Sequence, residues 1–160
     1  MTMDDLWLDE VQERSFSRAN TATTSSLPAG NRMTGARLVR LLHPGAYGVL
    51  ATTRPDGRPH AAPTSLVLQD QAIWLPTVAG AVRLTNLAAQ PWASLVVMRG
   101  EGTEHLMVTL EGPSTIVDAE AGDVAPAARR HGHALSWVTA WIRLAPQRVF
   151  SYAATGAPLP

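Results

Sequence analysis

Apolar residues in this chain form short runs rich in valine, leucine and threonine, which are typical of β-strands. The pattern predicts strands at residues 47–53, 60–68, 72–75, 93–98, 105–117, 136–144 and 148–152. Residues 54–58, Arg-Pro-Asp-Gly-Arg, predict a turn between the first two strands, because proline fixes φ and Asp-Gly supplies a left-handed step. Gly112-Pro113 predicts a bulge or barrel bend inside the long strand at 105–117.

Only short helices fit between these strands. Thr34 is predicted to cap a helix that runs through Leu42 and ends at Pro44-Gly45. A second short helix is predicted within residues 77–91, and a weak, alanine-rich one from Ala119 to His131. About six antiparallel strands joined in this way predict a closed barrel rather than a parallel sheet, since closure removes exposed strand edges.

The first 33 residues are predicted to be separate from the barrel domain. Residues 15–31 are rich in Ser, Thr and Asn, and such a composition buries too little surface to offset the entropy of ordering. We therefore expect a flexible arm or linker at 1–33, a domain at 34–153 and a short tail at 154–160. The alternative is an arm that docks on a partner subunit through Leu6, Trp7 and Leu8.

Composition narrows the class of protein. The chain has 160 residues, a formal net charge of zero and no cysteine, which excludes disulfides, thiolate catalysis and Cys-ligated metals. A neutral chain gives no reason to expect a nucleic-acid or membrane partner. The N-terminus is acidic where a signal peptide would be basic, so a cytoplasmic location is expected.

Several segments, taken in order, resemble the pyridoxamine-phosphate-oxidase-like family of flavin-binding split β-barrels. They are Gly48–Thr52, Arg54–His60, Trp74–Thr77, Arg83 with Asn86-Leu87 and Pro91, 93–97, Glu111-Gly112 and Arg148–Phe150. The resemblance covers residues 34–153. It implies a mainly β fold with short helices, a six-stranded antiparallel split barrel of the FMN-binding type. It also implies a homodimer that binds its cofactor between the subunits.

The resemblance implies a phosphate site at the second helix. In that family a Lys or Arg three residues before an Asn-Leu pair holds the cofactor phosphate, and Arg83 and Asn86 match this spacing. Gly80 and Ala81 are small and open the helix, whose free N–H groups attract an anion. The alternative is a solvated Arg83 and a structural Asn86. Thr77 either bonds the phosphate or caps the helix.

The flavin ring and ribityl chain are expected along the second strand, as in the family. Small and hydroxyl-bearing residues there are candidate contacts: His60, Ala62, Pro63, Thr64 and Ser65. Trp137 and Trp141 are four apart on a predicted strand, so they are expected on one side. The family often places an aromatic residue of the second subunit over the flavin, and either tryptophan is a candidate. The alternative for both is a place in the core or the dimer interface.

The resulting hypothesis is an oxidoreductase that binds FMN, or a deazaflavin coenzyme, and passes hydride to or from a small-molecule substrate. Its catalytic residues are not identified, because no acid–base pair stands out in the sequence. The alternative is a barrel that has lost its ligand or that carries flavin, deazaflavin or, less favoured, haem without turnover, with His60, His105 or His133 as haem ligands. His131-Gly132-His133 lacks a third ligand in the sequence and has Arg129 and Arg130 beside it, so no metal site is predicted.

Overall fold

The computed structural model describes residues 1–158 and contains one antiparallel sheet of eight strands curled into a barrel. The strand order is β2-β1-β5-β6-β7-β4-β3, and β8 pairs with β6. In chain order the strands are β1 (Tyr47–Thr53), β2 (Pro59–Ser65), β3 (Val67–Gln69), β4 (Ala72–Thr77), β5 (Trp92–Arg99), β6 (Leu106–Asp118), β7 (Ala140–Leu144) and β8 (Arg148–Ala153). The predicted mainly β fold is therefore confirmed, with eight strands in place of six.

Within the described residues five α-helices accompany the sheet: α1 (Met3–Ser17), α2 (Thr21–Ser26), α3 (Gly35–Leu41), α4 (Val82–Ala89) and α5 (Pro126–Leu135). Two 3-10 turns lie at Ala29–Asn31 and Gly102–Glu104. The helix predicted after Thr34 is present, and the Thr34 side chain accepts a hydrogen bond from the Arg37 amide at 3.3 Å, as a cap does.

Strand β6 joins the two halves of the barrel. Its first half pairs with β5 and β8, and its last five residues pair with β7. The change of partner follows Gly112-Pro113, where the sequence predicts a bend. Alternate residues of β5 and β6, such as Leu95, Val108 and Leu110, are buried in the main core. The period of two therefore places one face of each strand inside the barrel.

The N-terminal segment is folded against the barrel, which corrects the expectation of a flexible arm at 1–33. Leu8 and Val11 of α1 belong to the main core. The Ser15 hydroxyl accepts a hydrogen bond from the Val149 amide at 2.9 Å, so α1 satisfies a backbone group of β8. Helix α1 also lies close to α3, because a Cβ at Gly35 would be 1.9 Å from the Asp5 carbonyl oxygen.

Three predicted boundaries are also wrong. The strand predicted at 60–68 is divided into β2 and β3, with Leu66 between them. Helix α5 begins at Pro126 rather than Ala119, because residues 119–125 form turns ahead of the proline that starts it. The strand predicted at 136–144 begins only at Ala140, because Ser136 adopts a left-handed conformation (φ 58°) that ends α5.

Within residues 1–158 the structure contains no helix long and apolar enough to span a bilayer.

Candidate functional site

The start of α4 faces the turn between β1 and β2 across an open cavity of about 410 Å³. Its lining comes from both elements: Arg54, Pro55, Asp56, Arg58, Gly80, Val82, Thr85 and Asn86. Arg58 is an exposed residue paired with Asp56 at 2.8 Å, so its charge is already balanced. We call this space the α4 cavity. It brings the predicted site residues Gly80 and Asn86 together with Arg54.

Arg83 lies in the first turn of α4 and does not line the α4 cavity. Its side chain is half-buried, and burial lowers the pKa of its guanidinium below the ordinary value. One terminal nitrogen, Nη1, is fully buried and has no hydrogen-bond partner among residues 1–158. A buried cationic donor without a partner is unfavourable, so this geometry fits an anion better than it fits the alternative of a solvated arginine.

The turn before α4 leaves further polar groups unpaired. The N-cap position is Ala81, whose side chain cannot accept a hydrogen bond, and no side chain within 1–158 caps this helix. The Thr77 hydroxyl is buried without a partner and does not cap α4. Of the two roles expected for Thr77, the structure leaves the capping role unfilled. The start of α4 therefore has free backbone N–H donors, and it lies between the unpaired side-chain groups of Thr77 and Arg83.

Asn86 has a structural contact in this geometry. Its side-chain amide donates to the Thr52 hydroxyl at 2.9 Å, and both residues are buried. The Thr52 hydroxyl also lies 3.5 Å from Nδ1 of His60. This chain of contacts ties α4 to β1 and β2, so Asn86 positions the helix that carries Arg83. Thr52 is a member of the site that the sequence did not indicate.

The candidate residues of β2 face two sides. Ala62 pairs with Leu50 on the inward face, whereas Pro63 pairs with Val49 on the outward face. At the end of the strand both hydroxyl residues are buried. Thr64 donates to the Ser65 carbonyl at 3.0 Å, and the Ser65 hydroxyl lies 3.2 Å from Nε2 of His131. Both hydroxyls therefore already have protein partners.

The contact between His131 and Ser65 is not predicted by the sequence, where His131 stands out only as one half of the His131-Gly132-His133 motif. Its ring packs on Gly45 and approaches Ser65, which pins α5 to the barrel. Burial lowers the pKa of His131 below its ordinary value of 6.5. Neutral Nε2 can accept from the Ser65 hydroxyl, and the next histidine of the motif, His133, is exposed. No local pattern predicts a contact over this sequence separation.

The two candidate tryptophans are not on one side of a strand, which corrects that expectation. Trp141 lies on β7 and is 1% exposed, whereas Trp137 lies before the strand and is 49% exposed. Helix α5 covers Trp141 so closely that a Cβ at Gly132 would lie 2.8 Å from its ring. Trp137 is therefore the better placed of the two to meet a ligand or another subunit.

An apolar patch is exposed on the outer face of the sheet. Its members are the exposed residues Tyr47 and Val49 of β1 and Met98 of β5, together with the half-buried Val96 of β5. Val49 and Val96 are register partners, and Tyr47 is 72% exposed. We call these four residues the outer patch. Ala61 and Pro63 of β2 extend it with further exposed small residues.

The sequence carries the signature of a known family over most of its length. The family model described as pyridoxamine 5'-phosphate oxidase matches residues 36–156. The chain therefore belongs to the pyridoxamine 5'-phosphate oxidase family, as the resemblance implies. Helix α1 precedes the matched region. No curated protein matches this chain in sequence.

Solved structures share the fold. A conserved hypothetical protein from Mycobacterium tuberculosis is 22% identical, with a TM-score of 0.65, over 79% of this chain and 89% of that one. The haem storage protein HutZ from Vibrio cholerae is 16% identical, with a TM-score of 0.63, over 75% and 95%. A haem-binding protein from Mycobacterium smegmatis is 25% identical, with a TM-score of 0.60, over 75% of this chain and 54% of that one.

Proposed function

We propose that this protein is a flavin-dependent oxidoreductase that binds FMN, or a deazaflavin coenzyme, with the cofactor phosphate held at the start of α4. The observation that carries the proposal is the buried, unpartnered Nη1 of Arg83. A phosphate would supply the missing acceptor, and a guanidinium bonds phosphate through charge-assisted hydrogen bonds.

The surroundings of Arg83 support the same ligand. Helix α4 begins at Val82 without a side-chain cap, so its first N–H groups are available to an anion. The unpartnered Thr77 hydroxyl stands on the other side of the 78–81 turn and can donate to a phosphate oxygen. An inorganic anion would satisfy these groups too, but the membership of a flavin-binding family favours a nucleotide-type cofactor.

The functional unit is proposed to be a homodimer. The outer patch contains three exposed apolar side chains and the half-buried Val96 on adjacent strands, and a contiguous apolar patch on a sheet is a common site of self-association. Pairing two copies through this face would form a groove from both chains, with β2 along its wall. Exposed Trp137 is the aromatic side chain proposed to reach a cofactor in that groove.

The protein's part in the reaction is binding and orientation. A bound flavin supplies hydride transfer to or from a small-molecule substrate, so no side-chain nucleophile is needed. Arg83 holds the phosphate, Asn86 and Thr52 fix the helix that presents it, and the exposed residues Ala61 and Pro63 on the outward face of β2 leave room for a flat ring.

Haem is the second candidate ligand. The observation that favours it is the likeness to the haem-binding protein from Mycobacterium smegmatis, at 25% identity. Haem needs an axial ligand, and His60, His105 and His133 are the candidates already considered. His105 is partly buried with its ring centroid 6.2 Å from that of Tyr152, and His133 is exposed.

A visible spectrum separates these ligands. Purified protein is titrated with FMN, with a deazaflavin coenzyme and with haem, and each bound form has its own absorption bands. We expect saturable binding of FMN or the deazaflavin, followed by its reduction when a nicotinamide hydride donor is added. A Soret band with binding of haem alone would overturn the flavin proposal. Bound flavin that no donor reduces would support the cofactor site but overturn the oxidoreductase activity.

A further inference from the structure

A second, basic pocket lies where α1 meets the barrel. It has a volume of about 370 Å³ and is lined by Arg14, Ser15, Arg18, Trp92, Gln147 and Arg148. We call it the α1 pocket. Arg14 belongs to α1 and Arg18 is the C-cap residue that follows it, so both precede the residues shared with the family, and none of the lining residues belongs to α4. The α1 pocket is therefore distinct from the proposed cofactor site.

The charges of the α1 pocket are unbalanced. Arg14 and Arg18 are four residues apart, on one face of the end of α1, where like charges repel. Neither is paired with a carboxylate among residues 1–158. Arg148 lies 3.5 Å from Glu111, so the pocket has three guanidinium groups and one nearby carboxylate. An anion bound there would offset this repulsion.

An aromatic wall completes the pocket. Trp92 is the first residue of β5 and is 44% exposed, so part of its flat apolar ring is open to a ligand. Arg148 is held beside it, with its guanidinium 5.5 Å from the centroid of the Phe150 ring. Trp92 is also six residues along β5 from Met98, a separation of roughly 20 Å, so the pocket lies away from the outer patch.

We propose that the α1 pocket binds a small aromatic oxyanion, a phosphate or carboxylate carried on a flat ring. The arginines meet the oxyanion through charge-assisted hydrogen bonds, and the indole of Trp92 stacks on the ring. The volume is within the range of small-molecule sites and suits a ligand with one or two fused rings. This inference does not depend on the flavin proposal, because it uses no residue of that site.

The test follows the five indole N–H signals of the chain in a proton–nitrogen correlation spectrum. The Trp92 signal is identified as the one missing from the Trp92→Phe protein. Full-length protein is titrated with 1-naphthyl phosphate, with neutral 1-naphthol and with inorganic phosphate. We expect the phosphate ester to shift the Trp92 signal saturably, and each of the other two probes to bind at least tenfold more weakly.

Two variants assign the effect. Arg14→Gln/Arg18→Gln should weaken binding of the ester at least tenfold, whereas Arg83→Gln should leave the Trp92 titration unchanged. Both replaced arginines are exposed, and the undisturbed indole signals report whether the double variant is folded. Arg18→Gln alone is the second test if that variant unfolds. The proposal would be overturned if 1-naphthyl phosphate did not shift the Trp92 signal, or if 1-naphthol bound as tightly as the ester. It would also be overturned if the Arg14→Gln/Arg18→Gln protein bound the ester as tightly as the unaltered protein.

Discussion

The rings of Phe16 in α1 and Phe150 in β8 meet edge to face, with their centroids 5.1 Å apart. The guanidinium of Arg32 lies on the same Phe16 ring, 3.6 Å from its centroid. These contacts join the first helix, the segment after it and the last strand. Because all three share one small cluster, α1 is part of the barrel fold, and removing it would expose β8 and part of the main core.

Leu8→Ala should destabilise the protein by about 2–5 kcal/mol, because Leu8 is fully buried and its loss leaves a cavity between α1 and the barrel. The measurement is urea unfolding followed by circular dichroism. The matched control is Leu6→Ala on the same helix, where the side chain is about half exposed and a change under about 1 kcal/mol is expected. Equal effects of the two variants would mean that α1 is not docked.

Asn86→Ala should lower the free energy of unfolding by about 1–3 kcal/mol, because the buried Thr52 hydroxyl would lose its amide donor. Thr85→Ala, at an exposed position of the same helix, changes helix propensity without touching this bond. Denaturation midpoints of the two variants check the prediction. If Asn86→Ala unfolds no earlier than Thr85→Ala, the contact with Thr52 does not hold α4 in place.

Met98→Asp should convert the proposed homodimer into a monomer, because it places a carboxylate in the middle of an apolar interface. Met98 is well exposed in the single chain, so the fold should tolerate the change. Light scattering should give twice the chain mass of 17.1 kDa for the unaltered protein and once that mass for the variant. Met3→Asp, also exposed but on α1, is the control and should stay dimeric. A monomeric unaltered protein would contradict the dimer itself.

The sequence predicts the sheet far better than it predicts the first 33 residues. Strands such as β1 and β5 are recognisable because every second residue is buried, and this alternation can be seen within a few residues of sequence. Helix α1 shows no such clear pattern, because it has polar residues on most of its faces. It is stabilised by contact with β8, which is more than 130 residues away in the sequence. Composition alone cannot report such a partner.

The candidate site likewise has some features that local sequence predicts and others that depend on tertiary contacts. The position of Arg83 in the first turn of α4 follows from local signals, the small residues before it and Pro91 after it. The Asn86–Thr52 bond and the approach of His131 to Ser65 depend on tertiary packing. Trp141 lies on a strand as predicted, but Trp137 does not, because the left-handed residue Ser136 ends α5 and the strand begins four positions later, at Ala140.

The protein should lose stability as pH falls below about 6.5, the ordinary pKa of histidine, partly through His131. Burial lowers the folded-state pKa of His131, so the unfolded chain takes up this proton first. The contribution of neutral His131 to the free energy of unfolding is present above pH 6.5. It is lost as the pH falls from 6.5 through the lowered pKa of His131 in the folded protein. Thermal melts at pH 7.5 and 5.5 should show a smaller pH effect for His131→Gln. His133→Gln, at an exposed position, should behave like the unaltered protein, and identical pH effects in both variants would exclude His131 as a source.

Arg83→Gln should weaken FMN binding by about tenfold to a hundredfold, the loss of about 1.5–3 kcal/mol expected for one charge-assisted contact. The glutamine keeps a polar side chain but is shorter and carries no charge. Because Nη1 of Arg83 is buried without a partner in the free protein, the variant should melt no earlier than the unaltered chain. Arg40→Gln, at an exposed position of α3, is the control and should change neither quantity.

Calorimetric titration with FMN and with riboflavin, which lacks the phosphate, tests whether Arg83 acts on the phosphate itself. The advantage of FMN over riboflavin should shrink in Arg83→Gln, and an undiminished advantage would remove Arg83 from the phosphate site.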